Sequence, residues 1–353
     1  MKKDRLVFIS TFASPHTLPF GVEAARLYGE VVFINTMTLT EERRRMGYDI
    51  SSERVEIIDL SGNEERCREL ILDARDVILS GVRFDLVSER ISGGDSVYLA
   101  HERLFKKGFV KLLDPRTWKI AAFCRGVRNK NVFLLSIGDF AARDFKRLGF
   151  NKDKIFRFGY FPELSSGPAE KAADAREECK ILWVGRMVGF KRPLMALKAA
   201  KILPDGFKLT MAGDGALFEK VKKYAERHEI AVELLGNLPN SRVIELMRAS
   251  DILLSTSDKG EGWGAVINEG MNSGCAVVCS DSIGCAGTLA STENAVIFAT
   301  HSVKDLKRAL VEARDRRAEL GRSAKSTVEN KFNAAVAAER FSALAGAEDK
   351  RNK

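Results

Sequence analysis

DILLSTSDKGEGWGAVINEGMNSGCAVVCSD, residues 251–281, opens on a short apolar run, passes a glycine-rich loop, takes up helical spacing, and ends in a second apolar run. Strand, loop, helix and strand in that succession make a βα unit of a mostly parallel sheet. Two glutamates stand eight positions apart within it, Glu261 in the loop and Glu269 in the helix. Carboxyls that flank one glycosidic bond lie about 5–5.5 Å apart in retaining hydrolases and about 6.5–9.5 Å apart in inverting ones. At roughly 1.5 Å of rise per residue, eight helical positions span about 12 Å, and a loop residue lies farther off. The pair therefore suits opposite ends of a long polyol ligand, a sugar hydroxyl at one end and a ribose hydroxyl at the other. The alternative is structural: Glu261 a solvated loop charge and Glu269 the partner of a nearby lysine.

The same alternation runs through the whole chain. One series of apolar runs covers 6–10, 31–36, 55–60, 84–89, 132–138 and 155–160, and a second covers 181–185, 207–213, 232–236, 251–257, 276–281 and 295–299. Each series is enough for one doubly wound sheet, and 353 residues exceed the roughly 250–300 at which a single core stops growing. The polar stretch PELSSGPAEKAADAREE (162–178), with two prolines and no apolar period, reads as the linker. The expected organisation is an α/β chain of two Rossmann-like doubly wound parallel-sheet domains facing a cleft. Residues 1–165 form the acceptor-side domain, 166–330 the donor domain, and 331–353 a C-terminal helix that packs back on the first domain.

Composition narrows the function classes. Hydrophobic content of 45% and charged content of 30% belong to a folded globular chain. The apolar run near the N-terminus, in MKKDRLVFIS, is too short for a signal h-region or a membrane span, which implies a cytoplasmic protein. Six cysteines form no CxxC pair and sit in apolar runs, so they read as core thiols, and no metal is expected. A net charge of +9 favours anionic ligands. Nucleic acid is not expected as a partner, since neither ribonucleoprotein-type aromatics nor a zinc knuckle is present. Segment 101–130 carries nine Lys/Arg against Glu102 and Asp114, with Phe105, Phe109, Leu112, Leu113 and Trp118 interleaved. Two readings of it stand: a helix on an anionic membrane surface, which would make the protein peripheral at the inner face, or an amphipathic helix packed on a sheet with its lysines solvated.

Ligands of open α/β sheets bind beyond the carboxyl ends of the strands, so the loops there carry the chemistry. ILWVGRMVGFKRP ends a strand at Gly185 and sets Arg186 and Lys191 ahead of a helix opened by Pro193. Two cations at a helix N-terminus suit a diphosphate, although a solvated βα loop would look similar. AGDG follows the next strand; Gly213 and Gly215 let the backbone pass close to a ligand beside Asp214, or make a tight turn. It is not the dinucleotide fingerprint, because Phe218 occupies the last glycine position. Backbone N–H groups of Gly262, Trp263, Gly264 and Ala265 would face the same ligand.

Arg186 and Lys191 in GRMVGFKRP, then AGDG, then Glu261 and Glu269 in EGWGAVINEGMNSGCAVV resemble, in order and spacing, the donor-binding domain of the family 4 retaining glycosyltransferases of GT-B fold. The resemblance covers roughly residues 180–300, and IGDFAARDFKRLGFNKDKIFRFGYFPE (137–163) is similar to the end of that family's first domain. One departure is Gly270 before Met271, where the family usually has alanine. The resemblance implies that Arg186 and Lys191 hold the diphosphate of a nucleotide-sugar, Glu261 lies by the donor sugar and Glu269 binds the ribose. Gly185, Gly213, Asp214 and the amides of 262–265 complete the donor site. The chain has no Asp-x-Asp sequence, so metal-independent hexosyl transfer to a glycan, polysaccharide precursor or lipid-linked acceptor is expected, with no cofactor beyond the nucleotide-sugar. The first domain is less legible. His16, Thr17 and Gly21 after its first strand, and Glu89 and Arg90 in SER (88–90), are candidates for the acceptor side, with an ordinary loop histidine and a Glu89–Arg90 pair as the alternatives.

Overall fold

In a computed structural model of the chain, the run LVFI of the first strand is buried throughout, as an inner strand of a parallel sheet requires. The structure describes residues 2–41, 44, 50–106, 108, 114–164 and 178–351. Backbone contacts divide the chain into two units, Met1–Glu163 together with Asn333–Lys353, and Leu164–Phe332. Most of the linker stretch, 165–177, lies outside the described residues.

Among the described residues, seven parallel strands build the first unit: β1 (Lys3–Ser10), β2 (Glu30–Asn35), β3 (Glu56–Asp59), β4 (Ala74–Ser80), β5 (Val97–His101), β6 (Val132–Ile137) and β7 (Ile155–Phe158), in the order β3-β2-β1-β4-β5-β6-β7. Side chains alternate across the pleat. Val7, Ile9, Val32, Ile34, Val77 and Leu79 join one core layer. On the other face Phe8 stacks on Phe33 with centroids 4.7 Å apart. The helices Leu18–Ala24 and Ala334–Arg351 cover that aromatic face: Phe20 meets Phe8 at 6.2 Å, and Phe341 lies edge-on to Phe20 and Tyr98 at 5.9 and 4.9 Å.

Two strands of this sheet are not visible as apolar runs. β4 follows the helix Glu64–Asp73 with no glycine or proline between, and Arg75 and Asp76 interrupt its pattern. Asp76 is nevertheless buried, because the Tyr28 hydroxyl donates to it at 2.9 Å and Arg75 reaches it at 3.2 Å. β5 is a short run among polar neighbours. Conversely, residues 84–89 are not a strand but a 3-10 turn, Phe84–Val87, leading into the helix Ser88–Ser92.

Segment 101–130 also differs from a single amphipathic helix. His101 ends β5, and helix is found over Pro115–Gly126, where the Asp114 carboxylate accepts the Arg116 N–H at 2.9 Å. Residues 107 and 109–113 lie outside the described residues. Ile120, Ala121 and Cys124 of the helix are buried, while Trp118 is 60% exposed.

The second unit holds β8 (Cys179–Val184), β9 (Phe207–Ala212), β10 (Val232–Leu234), β11 (Ile252–Ser255), β12 (Ala276–Ser280) and β13 (Ala295–Phe298), all parallel, in the order β10-β9-β8-β11-β12-β13. Strand order reverses between β8 and β11, whose register pairs Ile181 with Ile252 and Trp183 with Leu254. The helices Val303–Asp315 and Arg317–Asn330 close this unit before the chain returns to the first. All six cysteines are free and buried. No helix among the described residues is long and apolar enough to cross a membrane.

Candidate functional site

The crevice of a doubly wound sheet opens where strand order reverses, here beyond Val184 of β8 and Ser255 of β11. The loop after β8 contains the 3-10 turn Gly189–Lys191, then Arg192 at φ 52 and ψ 51, directly ahead of the helix Pro193–Ala200. The loop after β11 is pinned to that turn. The Asp258 N–H donates to the Phe190 carbonyl at 2.7 Å, and a Cβ on Gly260 would fall 2.5 Å from the Cβ of Phe190. Asp258 in turn accepts the Gly260 N–H on its carboxylate at 2.7 Å and the Glu261 N–H on its carbonyl at 3.0 Å. This backbone carries Glu261 to Lys191, and the two form an ion pair. Ser257 donates its hydroxyl to the same Glu261 oxygen at 3.1 Å. Side-chain exposures of 16% for Lys191 and 14% for Glu261 shield the pair from solvent screening.

Glu269 follows on the short helix Val266–Asn272, partly buried, its carboxylate accepting no hydrogen bond from the described residues. Burial raises its carboxyl to about 7, and the positive charge of Lys191 pulls the other way. Lys191 is thus the common electrostatic neighbour of both glutamates. The direct Lys191–Glu261 pair is not legible in the spacing, which set cations toward phosphate and acids toward hydroxyls. Ser257 carries no motif either.

The glycines decide how closely these loops pack. A Cβ on Gly213, at φ +133, would lie 2.0 Å from the carbonyl oxygen of Gly185, and one on Gly215 would lie 2.9 Å from that of Met187. The Met187 N–H donates to the Asp214 carbonyl and the Leu217 N–H to the Met187 carbonyl, each at 2.8 Å, so AGDG braces the loop that presents Lys191. Asp214 is exposed and accepts the Gly215 N–H on its own carboxylate at 2.6 Å. The Lys191 stem runs along Gly185, where a Cβ would be 3.6 Å from its Cδ. Arg186 is exposed on the same loop and forms no ion pair with the described residues. The Trp263 ring is core: it stacks on Phe332 with centroids 5.5 Å apart and donates its indole N–H to Asn268 at 2.7 Å. Gly262, Gly264 and Ala265 donate their N–H groups to no acceptor among the described residues.

In the first unit the sequence-derived set disperses. His16 is partly buried, its carbonyl accepts the Phe161 N–H at 3.0 Å, and burial lowers its imidazole while Glu102 opposes the shift. Thr17 shares a 2.9 Å hydrogen bond with the Ser14 hydroxyl. Gly21 is a packing residue, because a Cβ there would lie 2.4 Å from the Phe33 ring. Glu89 is held on the surface by Arg68 through contacts of 2.9 and 2.7 Å. Arg90 corrects the expectation most sharply. The residue is 1% exposed, and four of its five guanidinium N–H groups donate to the carbonyls of Ser96, Ile71, Ala74 and Arg75 at 2.7–2.9 Å, which ties a helix to a strand and buries the charge away from any acceptor site. His101 lies buried in the sheet against the Gly81 carbonyl at 2.5 Å, and burial lowers it to about 4.

Solved structures resemble the whole chain at low identity. Anabaena Alr3699/HepE, crystallised in complex with UDP, superposes with a TM-score of 0.73 at 14% identity over 98% of this chain and 100% of its own. Sucrose-phosphate synthase of Thermosynechococcus elongatus gives 0.70 at 14% identity over 99% and 100%. At such identity the likeness concerns the fold, which is GT-B. The uncharacterized glycosyltransferase MJ1069 of Methanocaldococcus jannaschii is 27% identical over 166 residues, 45% of this chain and 42% of the relative. The chain thus spans about two fifths of the length of the curated relatives it matches. Over residues 169–329, close to half of the chain and nearly all of the second unit, the sequence matches the family of glycosyl transferases group 1.

Proposed function

We propose that the protein is a retaining glycosyltransferase that moves a hexose from a nucleotide diphosphate sugar to a hydroxyl of a glycan, polysaccharide precursor or lipid-linked sugar. The observation that carries this reading is the shielded Lys191, set at the reversal of strand order and facing both Glu261 and Glu269. As the bond from the sugar C1 to the diphosphate oxygen breaks, charge gathers on the leaving diphosphate. Lys191 and Arg186 neutralise it, aided by the N–H groups of Gly262, Gly264 and Ala265. These cations supply the charge that a divalent ion would, so transfer needs no metal. Glu261, steadied by Ser257, takes hydroxyls of the donor sugar, and Glu269 takes those of the ribose.

Glu269→Gln tests the ribose assignment. Its loss of affinity should be larger for UDP or GDP than for inorganic diphosphate by calorimetry; equal losses would take the ribose away from it. The same variant reports on ionisation. A carboxyl raised to about 7 in the folded chain stabilises it below the ordinary value near 4.5 and loses that contribution as pH rises through about 7. Glu269→Gln should therefore gain stability over the wild type as pH rises from 5 to 8, by on the order of 2 kcal/mol at the top of that range. Parallel melting curves for the two proteins across that range would contradict it.

Contact with an anionic membrane through 101–130 belongs to the same proposal, supported by Trp118, 60% exposed and next to exposed Lys119. Trp118→Ala should reduce co-sedimentation with phosphatidylserine vesicles several-fold. Undiminished sedimentation would remove Trp118 from that surface.

A further inference from the structure

Thr256 lies just beyond β11, with no exposed surface, among residues to which no ligand role has been given. Its hydroxyl accepts the indole N–H of Trp183 at 2.9 Å and donates toward two carbonyl oxygens, that of Lys191 at 2.8 Å and that of Arg192 at 3.1 Å. Those carbonyls bracket the one strained step in the loop after β8. Arg192 is left-handed at φ 52 and ψ 51, although it carries a side chain and stands directly before Pro193. A residue ahead of proline is pushed toward extended backbone by the ring, and a left-handed non-glycine residue also sets its Cβ against its own carbonyl. Left to local preference, the chain after Lys191 would leave in another direction.

Two buried ties oppose that. Indole is a donor only, so Trp183 occupies a lone pair of the Thr256 hydroxyl and turns its hydrogen toward the carbonyls. On the far side the Arg192 guanidinium donates to the Thr300 carbonyl at 3.1 Å, and the Thr300 N–H is held by Asp281 at 3.1 Å. We propose that Thr256 is a positioning residue of the diphosphate cradle: through the Lys191 and Arg192 carbonyls it locks the left-handed turn that directs the Lys191 ammonium toward Glu261. This rests on the reading of Lys191 as a diphosphate ligand. Thr256 itself touches no ligand and acts through Lys191.

The test uses the full chain and inorganic diphosphate, titrated by calorimetry. Thr256→Val keeps the shape but removes the hydroxyl, and should weaken diphosphate roughly tenfold, the loss of one buried hydrogen-bonding group. Thr256→Ser should stay within about twofold of the wild type, since it keeps the hydroxyl. Two combinations separate positioning from general damage. Thr256→Val added to Lys191→Ala should cost nothing more, because Thr256 acts only through Lys191. Arg192→Gly added to Thr256→Val should recover affinity, because glycine enters the left-handed turn unaided. Thr256→Ala, which has no side-chain donor, decides the matter if the valine variant does not fold. Wild-type affinity in Thr256→Val or Thr256→Ala, or additive losses with Lys191→Ala, overturns the inference while Lys191 keeps its role. If Lys191→Ala binds diphosphate like the wild type, the cradle reading itself fails.

Discussion

Lys191→Ala is expected to lower the affinity for UDP or GDP by about 10- to 150-fold, the equivalent of one charge-assisted hydrogen bond at about 1.5–3 kcal/mol. The variant also strands Glu261, which sits at 14% side-chain exposure and would keep the Ser257 hydroxyl on that oxygen. An unpaired acid there destabilises the fold as well as the site, so the single substitution confounds two effects. Lys191→Ala with Glu261→Gln separates them: the double variant should recover much of the melting temperature and none of the diphosphate affinity. If affinity returned with stability, Lys191 would be a structural partner of Glu261 rather than a ligand of phosphate. Lys191 is paired with Glu261, and under the proposed reading a donor diphosphate would share or displace that contact.

Gly213→Ala should have the largest effect on stability. The added carbon would lie 2.0 Å from the Gly185 carbonyl oxygen, at a residue whose φ of +133 already disfavours a side chain. Both partners are backbone, so no rotamer change relieves the collision. Overpacking and left-handed strain together suggest a cost of about 3–5 kcal/mol, measurable by urea unfolding. Ligand binding should fall with it, because the same loop braces Met187 through Asp214 and so supports the approach to Lys191. A loss under about 1 kcal/mol, the range of ordinary surface substitutions, would mean that the two loops do not meet.

The second unit was legible because all six of its strands are apolar runs set off by glycine or polar residues, and because GRMVGFKRP, AGDG and EGWGAVINEG place charge and glycine beyond strand ends. The first unit was less so, for reasons seen in particular residues. Asp76 looks like the end of an apolar pattern, yet it is buried in β4 beside Tyr28. Arg90 reads as an acceptor-side charge or the partner of Glu89, yet four carbonyls converge on it, those of Ile71, Ala74 and Arg75 from another helix and strand, and no local pattern announces that convergence. Phe84 alternates as a strand residue would, but it stacks on Phe123 with centroids 3.9 Å apart at the start of a 3-10 turn. Of the candidate site, Lys191, Glu261 and Glu269 stand out in the sequence by type and spacing. Ser257 and Thr256 do not, because a hydroxyl one or two positions past a strand is common, and the carbonyl partners of Thr256 lie on another loop.

The most direct measurement is a crystal structure of the chain grown with UDP or GDP. Diphosphate oxygens are expected within hydrogen-bonding distance of Lys191 Nζ and the Arg186 guanidinium, and ribose hydroxyls on Glu269. A nucleotide seated elsewhere in the chain, with Lys191 still paired to Glu261 and Glu269 untouched, would contradict it.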